Sequence, residues 1–209
     1  MDVSIPPPAT LALFAGTAFL LVIVPGPNML FILSKGIISG RRAAFASAFG
    51  VELGTLVHVV GTVIGISALI AASPVAFNIL KYAGAAYLLY LAWGAFRAQG
   101  SGLSREVPDQ TLLRTLGSAA LVNVLNPKVA LFFLALFPQF IAPELDSVPS
   151  QALILGLVFF LIALALDLLY AAGSVAVGRW LDRNPRFHFW QRLLSAATLL
   201  ALAVFAALA

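Results

Sequence analysis

Long apolar stretches dominate this sequence and limit it to folds that a lipid bilayer can solvate. A helix needs about 20 apolar residues to cross the hydrocarbon core of a membrane. Six stretches of the chain suit this length, at 9–33, 43–72, 75–97, 112–141, 150–178 and 190–209. Because 62% of the 209 residues are hydrophobic and only 10% are charged, too few polar side chains exist to cover a water-facing surface. We therefore predict an all-α integral membrane protein with six transmembrane helices in a single domain, residues 1–209.

The boundary between the second and third of these spans is the shortest one. The stretch "SPVAFN", residues 73–78, begins with Ser73 and Pro74, and such a pair is typical of a turn. We expect a short turn over 73–78.

The basic residues predict how the chain is oriented, because loops rich in Lys and Arg stay in the cytoplasm. With six spans, the first, third and fifth loops lie on one side and hold ten of the twelve Lys and Arg residues. These are Lys35, Arg41, Arg42, Arg97, Arg105, Arg114, Arg179, Arg183, Arg186 and Arg192. The prediction places these loops in the cytoplasm and both termini on the outer side. Beside membrane spans, such basic loops indicate topology and not nucleic-acid binding.

Two prolines lie at corresponding places in the two halves of the chain. Pro27 follows "PG" in the first span, Pro127 follows an asparagine in the fourth, and an apolar run comes after each. Interrupted hydrophobic segments at matching positions point to a transporter binding site, although proline is also common in transmembrane helices. We predict two three-helix repeats, about 9–97 and about 112–209. Since three is an odd number of spans, the second repeat is inverted.

The physical effect of these breaks favours a binding role. Proline removes a backbone donor and clashes with the preceding turn, and in lipid the freed backbone groups must find partners or line a cavity. Gly26 and Asn28 flank Pro27, and Asn126 can cap a half-helix whose first residue is Pro127. Each half-helix would then begin inside the membrane with a partly positive N-terminus, which suits a carboxylate ligand.

Three charged residues are predicted near the middle of the membrane: Glu52, Lys128 and Asp167. Each lies 10–14 residues from a basic residue at the cytoplasmic face, which is about 15–21 Å along a helix. A charge at that depth costs at least about 2.5–3.5 kcal/mol, so the three should meet one another or a water-filled cavity. One interpretation is a structural ion pair of Lys128 with Asp167 or Glu52. The other is a site for a zwitterion, in which Lys128 binds the carboxylate and an acidic residue binds the amino group or carries a proton.

His58 lies on the second span beside a row of glycines. The spacing of that row predicts two close-packing pairs, which could close the monomer or build a homodimer. Its members are Gly50, Gly54, Gly61 and Gly65. His58 is then an interhelical hydrogen-bonding residue or, alternatively, a proton-sensing one. With no cysteine and only two histidines, no metal or cofactor motif is expected.

Several of these segments resemble one family in order and spacing. The chain resembles the LysE/RhtB amino-acid exporters, which include the homoserine/threonine and lysine efflux permeases of bacteria. The similar segments are "PGPN" (25–28), "RRAAFASAFGVELGTLVH" (41–58), "LKYAGAAYLLYLAWGAFRA" (80–98), "NVLNPKVALFFLALFPQFI" (123–141) and "LDLLY" (166–170).

The resemblance implies a secondary transporter of the bacterial inner membrane, and not an enzyme. Such a protein exports amino acids or small derivatives, driven by proton uptake. The alternatives are an ion or metabolite channel and a non-transporting membrane enzyme or assembly factor. The residues on the most recognisable motifs of the family are Pro25, Gly26, Pro27, Asn126, Pro127, Lys128 and Asp167. We add Asn28 to the predicted substrate site, and Glu52 and His58 to Asp167 as groups for proton coupling or amino-group binding.

Overall fold

The computed structural model describes residues 5–72, 74–97, 111–142, 147–182 and 185–208, and this part of the chain is entirely helical and contains no β-strand. The α-helices in chain order are α1 (Pro8–Ile23), α2 (Pro27–Ser39), α3 (Arg41–Ala72), α4 (Pro74–Arg97), α5 (Leu112–Val124), α6 (Pro127–Leu131), α7 (Val148–Asp182) and α8 (Pro185–Leu208). Between α6 and α7, a π-helical turn, Phe132–Leu136, leads into a 3-10 turn, Phe137–Phe140.

Two helices within the described ranges are long and apolar enough to cross a membrane by themselves. They are the Arg41–Gly65 part of α3 and the Val148–Ala176 part of α7. Up to four spans result if α1 with α2, and α5 with the segment Pro127–Phe140, each count as one bent span. The chain is therefore a multi-pass membrane protein. Six spans stay a prediction, because α4 and α8 contain only shorter apolar stretches.

Both predicted breaks are present in the structure. The axes of α1 and α2 differ by 48°, and those of α5 and the segment Pro127–Phe140 differ by 46°. Proline is the first residue after each break, where its missing N–H has no partner to lose. The side chain of Asn126 accepts a hydrogen bond from the backbone N–H of Lys128, so the predicted N-cap is confirmed.

Two details of the sequence prediction are wrong. Residues 74–78 begin α4 and do not form a turn between spans. Proline favours the first position of an α-helix as well as a turn. Lys35, assigned to the first loop, lies inside α2 with a fully buried side chain. Arg105 and Arg183, which the orientation prediction also uses, lie outside the described residues, as does Ser73.

The core consists of two apolar clusters packed around α3 and α7. The larger one contains Phe14 of α1 in edge-on contact with Phe137 and Phe140, and Phe159 of α7 against Phe132. The smaller one joins α2, α3, α5 and α7 through small side chains such as Ala44, Ala48 and Ala119. Small residues let helix backbones approach closely, which suits the contact of these four helices.

Two of the four glycines in the row on α3 contact another helix of the same chain. A Cβ atom on Gly50 would lie 2.7 Å from the Cβ of Ala119, and one on Gly54 would lie 2.7 Å from the Cβ of Asn123. Gly50 and Gly54 therefore form the predicted close-packing pair, against α5. The same added atom on Gly61 or Gly65 has no neighbour within 4 Å among the described residues, so the second pair closes nothing here and a homodimer stays a prediction.

We predict that Gly50→Leu lowers the melting temperature of the purified protein while Gly61→Leu leaves it almost unchanged. Overpacking a close helix contact costs about 1–3 kcal/mol, whereas the leucine at position 61 enters open space. Both changes add the same side chain to the middle of the same helix, so the second is a matched control. Equal melting temperatures in detergent for the two variants would contradict the α3–α5 contact.

Candidate functional site

A small cavity lies where the two helix breaks meet, between the two apolar clusters. Its polar lining residues come from α2, α3, α5, α6 and α7 and are Asn28, Glu52, Thr55, Asn123, Lys128 and Asp167. About 20 Å³ of it is open to the centres of water molecules, which is room for about one or two waters. This space is too small for an amino acid, and we refer to the cavity in this arrangement as closed.

Lys128 ties the second break to the first. Its Nζ atom donates hydrogen bonds of 2.9 Å to the carbonyl oxygens of Leu21 and Val24, at the C-terminal end of α1. A Cβ atom on Gly26 would lie 3.0 Å from the same Nζ. Glycine at this position therefore leaves room for the ammonium group to reach the carbonyls.

Two further side chains reach the end of α1 from other helices. The hydroxyl of Tyr170 on α7 donates to the carbonyl of Ile23 at 3.1 Å, and that of Ser195 on α8 donates to the carbonyl of Pro25 at 2.8 Å. A helix end leaves its last carbonyl groups without intrahelical donors, and lipid cannot supply them. Side chains from α6, α7 and α8 supply them instead.

Three asparagines also connect the two breaks. Asn126 donates to the side-chain oxygen of Asn28, and Asn28 donates to that of Asn123, each at 2.9 Å. Asn123 in turn donates to the carbonyl of Val51 at 2.6 Å and to the hydroxyl of Thr55 at 2.9 Å. The chain of bonds thus runs from the start of α6 through the start of α2 to the middle of α3.

His58 touches this network without lining the cavity. Its Nε2 atom lies 3.2 Å from the carbonyl oxygen of Asn123, and its ring stacks on that of Phe133 with centroids 5.5 Å apart. The predicted interhelical hydrogen bond is therefore present, between α3 and α5. A proton-sensing role for His58 stays a prediction.

The two acidic residues lie side by side in the cavity. The side chains of Glu52 and Asp167 are only 2% and 3% exposed, and their carboxyl groups are close enough to interact. Both oxygens of Glu52 are buried and receive no hydrogen bond from any of the described residues. Lys128 attracts Asp167, but its hydrogen bonds go to the end of α1. The structural ion pair, one of the two interpretations of the sequence, is therefore not the arrangement that holds Lys128.

The remaining predicted site residues shape the breaks and do not line the cavity. Pro25, Pro27 and Pro127 interrupt the helices, and Asn126 acts through Asn28. Among the parts of the chain that the structure describes, no group of three or more His, Cys, Asp or Glu side chains could hold a metal ion.

Sequence reasoning assigned no role to four residues that complete the site. They are Thr55, Asn123, Tyr170 and Ser195. The sequence contains an indication for two of them. Thr55 and Tyr170 each follow a buried acid by three residues and therefore share its helix face. Nothing local marked Ser195, whose partner is 170 positions away.

Comparison with known proteins points in one direction. The sequence profile of the family described as LysE type translocator matches residues 19–209. The chain is 36% identical to an uncharacterized membrane protein of Vibrio cholerae serotype O1 over 81% of its length and 82% of the relative's. It is 35% identical to a homoserine/homoserine lactone efflux protein of Salmonella typhi over the same shares, and 36% identical to a leucine efflux protein of Enterobacter sp. (strain 638) over 70% of each chain. No solved structure matches the chain.

We predict that Asn123→Leu destabilises the protein more than Thr55→Val does. The leucine removes three side-chain hydrogen bonds that join α2, α3 and α5. The valine removes one bond between helices, from Asn123, and one long bond of 3.4 Å to the Val51 carbonyl within α3. A buried group left without its partner costs about 1–3 kcal/mol, and Asn123→Leu leaves several such groups. Thermal unfolding in detergent measures both. A smaller loss for Asn123→Leu than for Thr55→Val would contradict the network.

Proposed function

Since the chain belongs to the LysE type translocator family, we propose that it is a secondary transporter that exports amino acids or small amino-acid derivatives. The proposal extends to the bacterial inner membrane as its location and to proton antiport as its energy source. The named relatives are efflux proteins for homoserine, homoserine lactone and leucine. All three molecules carry an amino group on the carbon next to a carboxyl or ester carbonyl.

One observation carries the proposal: a cation and two carboxyl groups line a single buried cavity. Lys128, Glu52 and Asp167 all contribute to its lining. A zwitterionic amino acid presents a carboxylate and an ammonium group a few bonds apart, so both of its charges find partners there. Buried charges are costly unless they are paired, which explains why a membrane protein would keep this arrangement for a charged ligand.

The start of α2 is a second group, beside Lys128, that favours an anion in the cavity. Gly26, Asn28 and Met29 line the cavity at the N-terminus of a 13-residue helix, where backbone N–H groups are free and the helix dipole is positive. Together with Lys128, this end favours the carboxylate of the substrate. The aliphatic and aromatic lining residues, among them Val51 and Phe159, suit an uncharged side chain.

Two breaks of similar angle also support the proposed inverted repeat. Bends of 48° and 46° at Pro27 and Pro127 are the feature expected where two halves of a transporter meet at the substrate. In such transporters one half rocks against the other, and the central site opens to each side in turn. The closed cavity described above fits an intermediate in that cycle.

We predict that the protein in proteoliposomes transports labelled homoserine or leucine when a pH gradient is imposed, and that Asp167→Asn abolishes the response to the gradient. The neutral residue keeps the size of the side chain and removes the carboxylate that would carry the proton. Substrate exchange without a gradient is the control for folding and binding. Coupled transport at the wild-type level in Asp167→Asn would exclude this residue from the coupling. A current that does not saturate with substrate would instead indicate a channel.

We predict that Lys128→Gln impairs transport of homoserine far more than transport of homoserine lactone. The lactone has no carboxylate, so it loses no ion pair with Lys128. A hydrogen bond to a charged group contributes about 1.5–3 kcal/mol, which corresponds to a factor of about 10–100 in affinity. Any effect of the mutation on the end of α1 is shared by both substrates and cancels in the ratio. Lys128→Arg, which keeps the charge, is the matched control. Equal losses for the two substrates would show that Lys128 serves the fold alone.

A further inference from the structure

If both acidic residues are ionised, the pair needs one positive charge more than its surroundings supply. Glu52 is 2% exposed and receives no hydrogen bond from the described residues on either carboxyl oxygen. Its neighbour Asp167 is another acid, 3% exposed. Two carboxyl groups in contact cannot both hold a negative charge away from water without a cation between them.

The nearby cation does not meet this requirement. Lys128 attracts Asp167 across the cavity, but two of its three N–H donors are used by the carbonyl groups of Leu21 and Val24. Its position is also fixed from the other side, because Lys128 follows the N-cap Asn126 and the helix start at Pro127. One negative charge of the acid pair therefore remains to be balanced.

We propose that Glu52 and Asp167 form a single cation site, which holds one proton in this closed structure and the ammonium group of the substrate during export. This inference rests on the proposed function and specifies how its site works. With the proton bound, one acid donates a hydrogen bond to the other and the remaining negative charge faces Lys128. Both acids are then satisfied without a substrate.

The exchange balances in charge and in atoms. A substrate R–NH₃⁺ enters, its N–H donors take the place of the acidic proton, and that proton leaves to the water on the side from which the substrate came. A cationic substrate leaves the net charge of the cavity unchanged, whereas a zwitterion, whose carboxylate enters as well, lowers it by one unit. After the substrate is released outside, a proton from that side refills the pair, so one proton moves inward for each amino group moved outward.

The substrate class follows from this exchange. A free ammonium group is required, and a carboxylate is accepted by Lys128 but is not required by the cation site. Zwitterionic amino acids and the cationic lactones or esters of amino acids both qualify. N-acylated amino acids, which have lost the positive charge, do not.

Three other titratable groups surround the pair within the described ranges. Lys128 faces it from α6, Tyr170 lies one turn beyond Asp167 on α7, and His58 lies farther along α3 from Glu52. His58 contacts the carbonyl of Asn123, and Tyr170 donates to the carbonyl of Ile23. Their hydrogen bonds lead away from the acid pair, so the exchange of proton and amine is assigned to the acids themselves.

The test is a count of protons released when a substrate binds. Purified full-length protein in weakly buffered detergent solution at pH 6 is mixed with L-homoserine, L-leucine or L-homoserine lactone, each adjusted to the same pH. We expect release of about one proton per molecule bound, and a Kd that falls by up to about tenfold per pH unit as the pH rises. N-acetyl-L-homoserine, which keeps the carboxylate, is the matched control ligand and should neither bind nor release a proton.

Variants then assign the proton to the pair. In Glu52→Gln, Asp167 faces Lys128 alone and keeps its charge without a proton, so homoserine should bind with little proton release and a flat pH dependence. Glu52→Asp should restore most of the release. His58→Gln should leave the proton count at about one. Melting temperatures establish that each variant is folded, and the wild-type count tests the inference even if a variant does not fold.

The outcomes separate this inference from the proposed function. Binding of homoserine by the wild-type protein without proton release overturns the single site while export stands. Proton release that persists in Glu52→Gln but disappears in His58→Gln also overturns it. Failure to bind or transport any of the three amines, with the protein folded, overturns the proposed function and this inference with it.

Discussion

The rest of this structure depends on how the last carbonyl groups of α1 find hydrogen-bond donors at the break between α1 and α2. A helix that ends in water leaves its last carbonyl groups to the solvent, but lipid offers no donors. Here Lys128, Tyr170 and Ser195 take that place, from three different helices. The end of one short helix thereby fixes α6, α7 and α8 relative to α1. These hydrogen bonds stabilise the break, and they connect the first half of the chain to the second. We call this connection the joint.

The need for partners at the breaks also explains the three asparagines found there. Asn28, Asn123 and Asn126 can each donate and accept at once, so a chain of three amides satisfies both breaks without placing a charge in the membrane. The charges that remain, on Glu52, Lys128 and Asp167, therefore stand out. Since the amides and Lys128 satisfy polar groups at the two breaks, the two acids in the cavity are available to a ligand.

Much of this arrangement could be predicted from the sequence, because it follows from local rules. Pro127 after Asn126 predicts a capped helix start, and that is the observed geometry. The buried positions of Glu52 and Asp167 follow from their distance to the basic ends of their helices. The close packing at Gly50 and Gly54 follows from their spacing.

The partner of Lys128 could not be predicted this way. Both acids and carbonyl groups could lie within reach of its ammonium group, and only the fold shows that it bonds to the carbonyl groups of α1. Lys35 was misplaced for a related reason, since a basic residue near a helix end can as well be buried under its neighbours as lie in a loop.

Lys128 therefore has two competing possible partners: the carbonyl groups at the end of α1 and the carboxylate of a ligand. In the closed form its donors hold the end of α1, and the space beside it admits only water. A carboxylate that entered the cavity would be a stronger acceptor for the same ammonium group than a neutral carbonyl, because the two opposite charges also attract each other. To bind it, Lys128 would have to release α1 at least in part, and the carbonyl groups left behind would need water. Ligand binding, loosening of the first break and entry of water into the cavity are thus physically coupled. In a membrane protein whose two halves meet at this joint, a ligand that fits the site is also one that favours opening it.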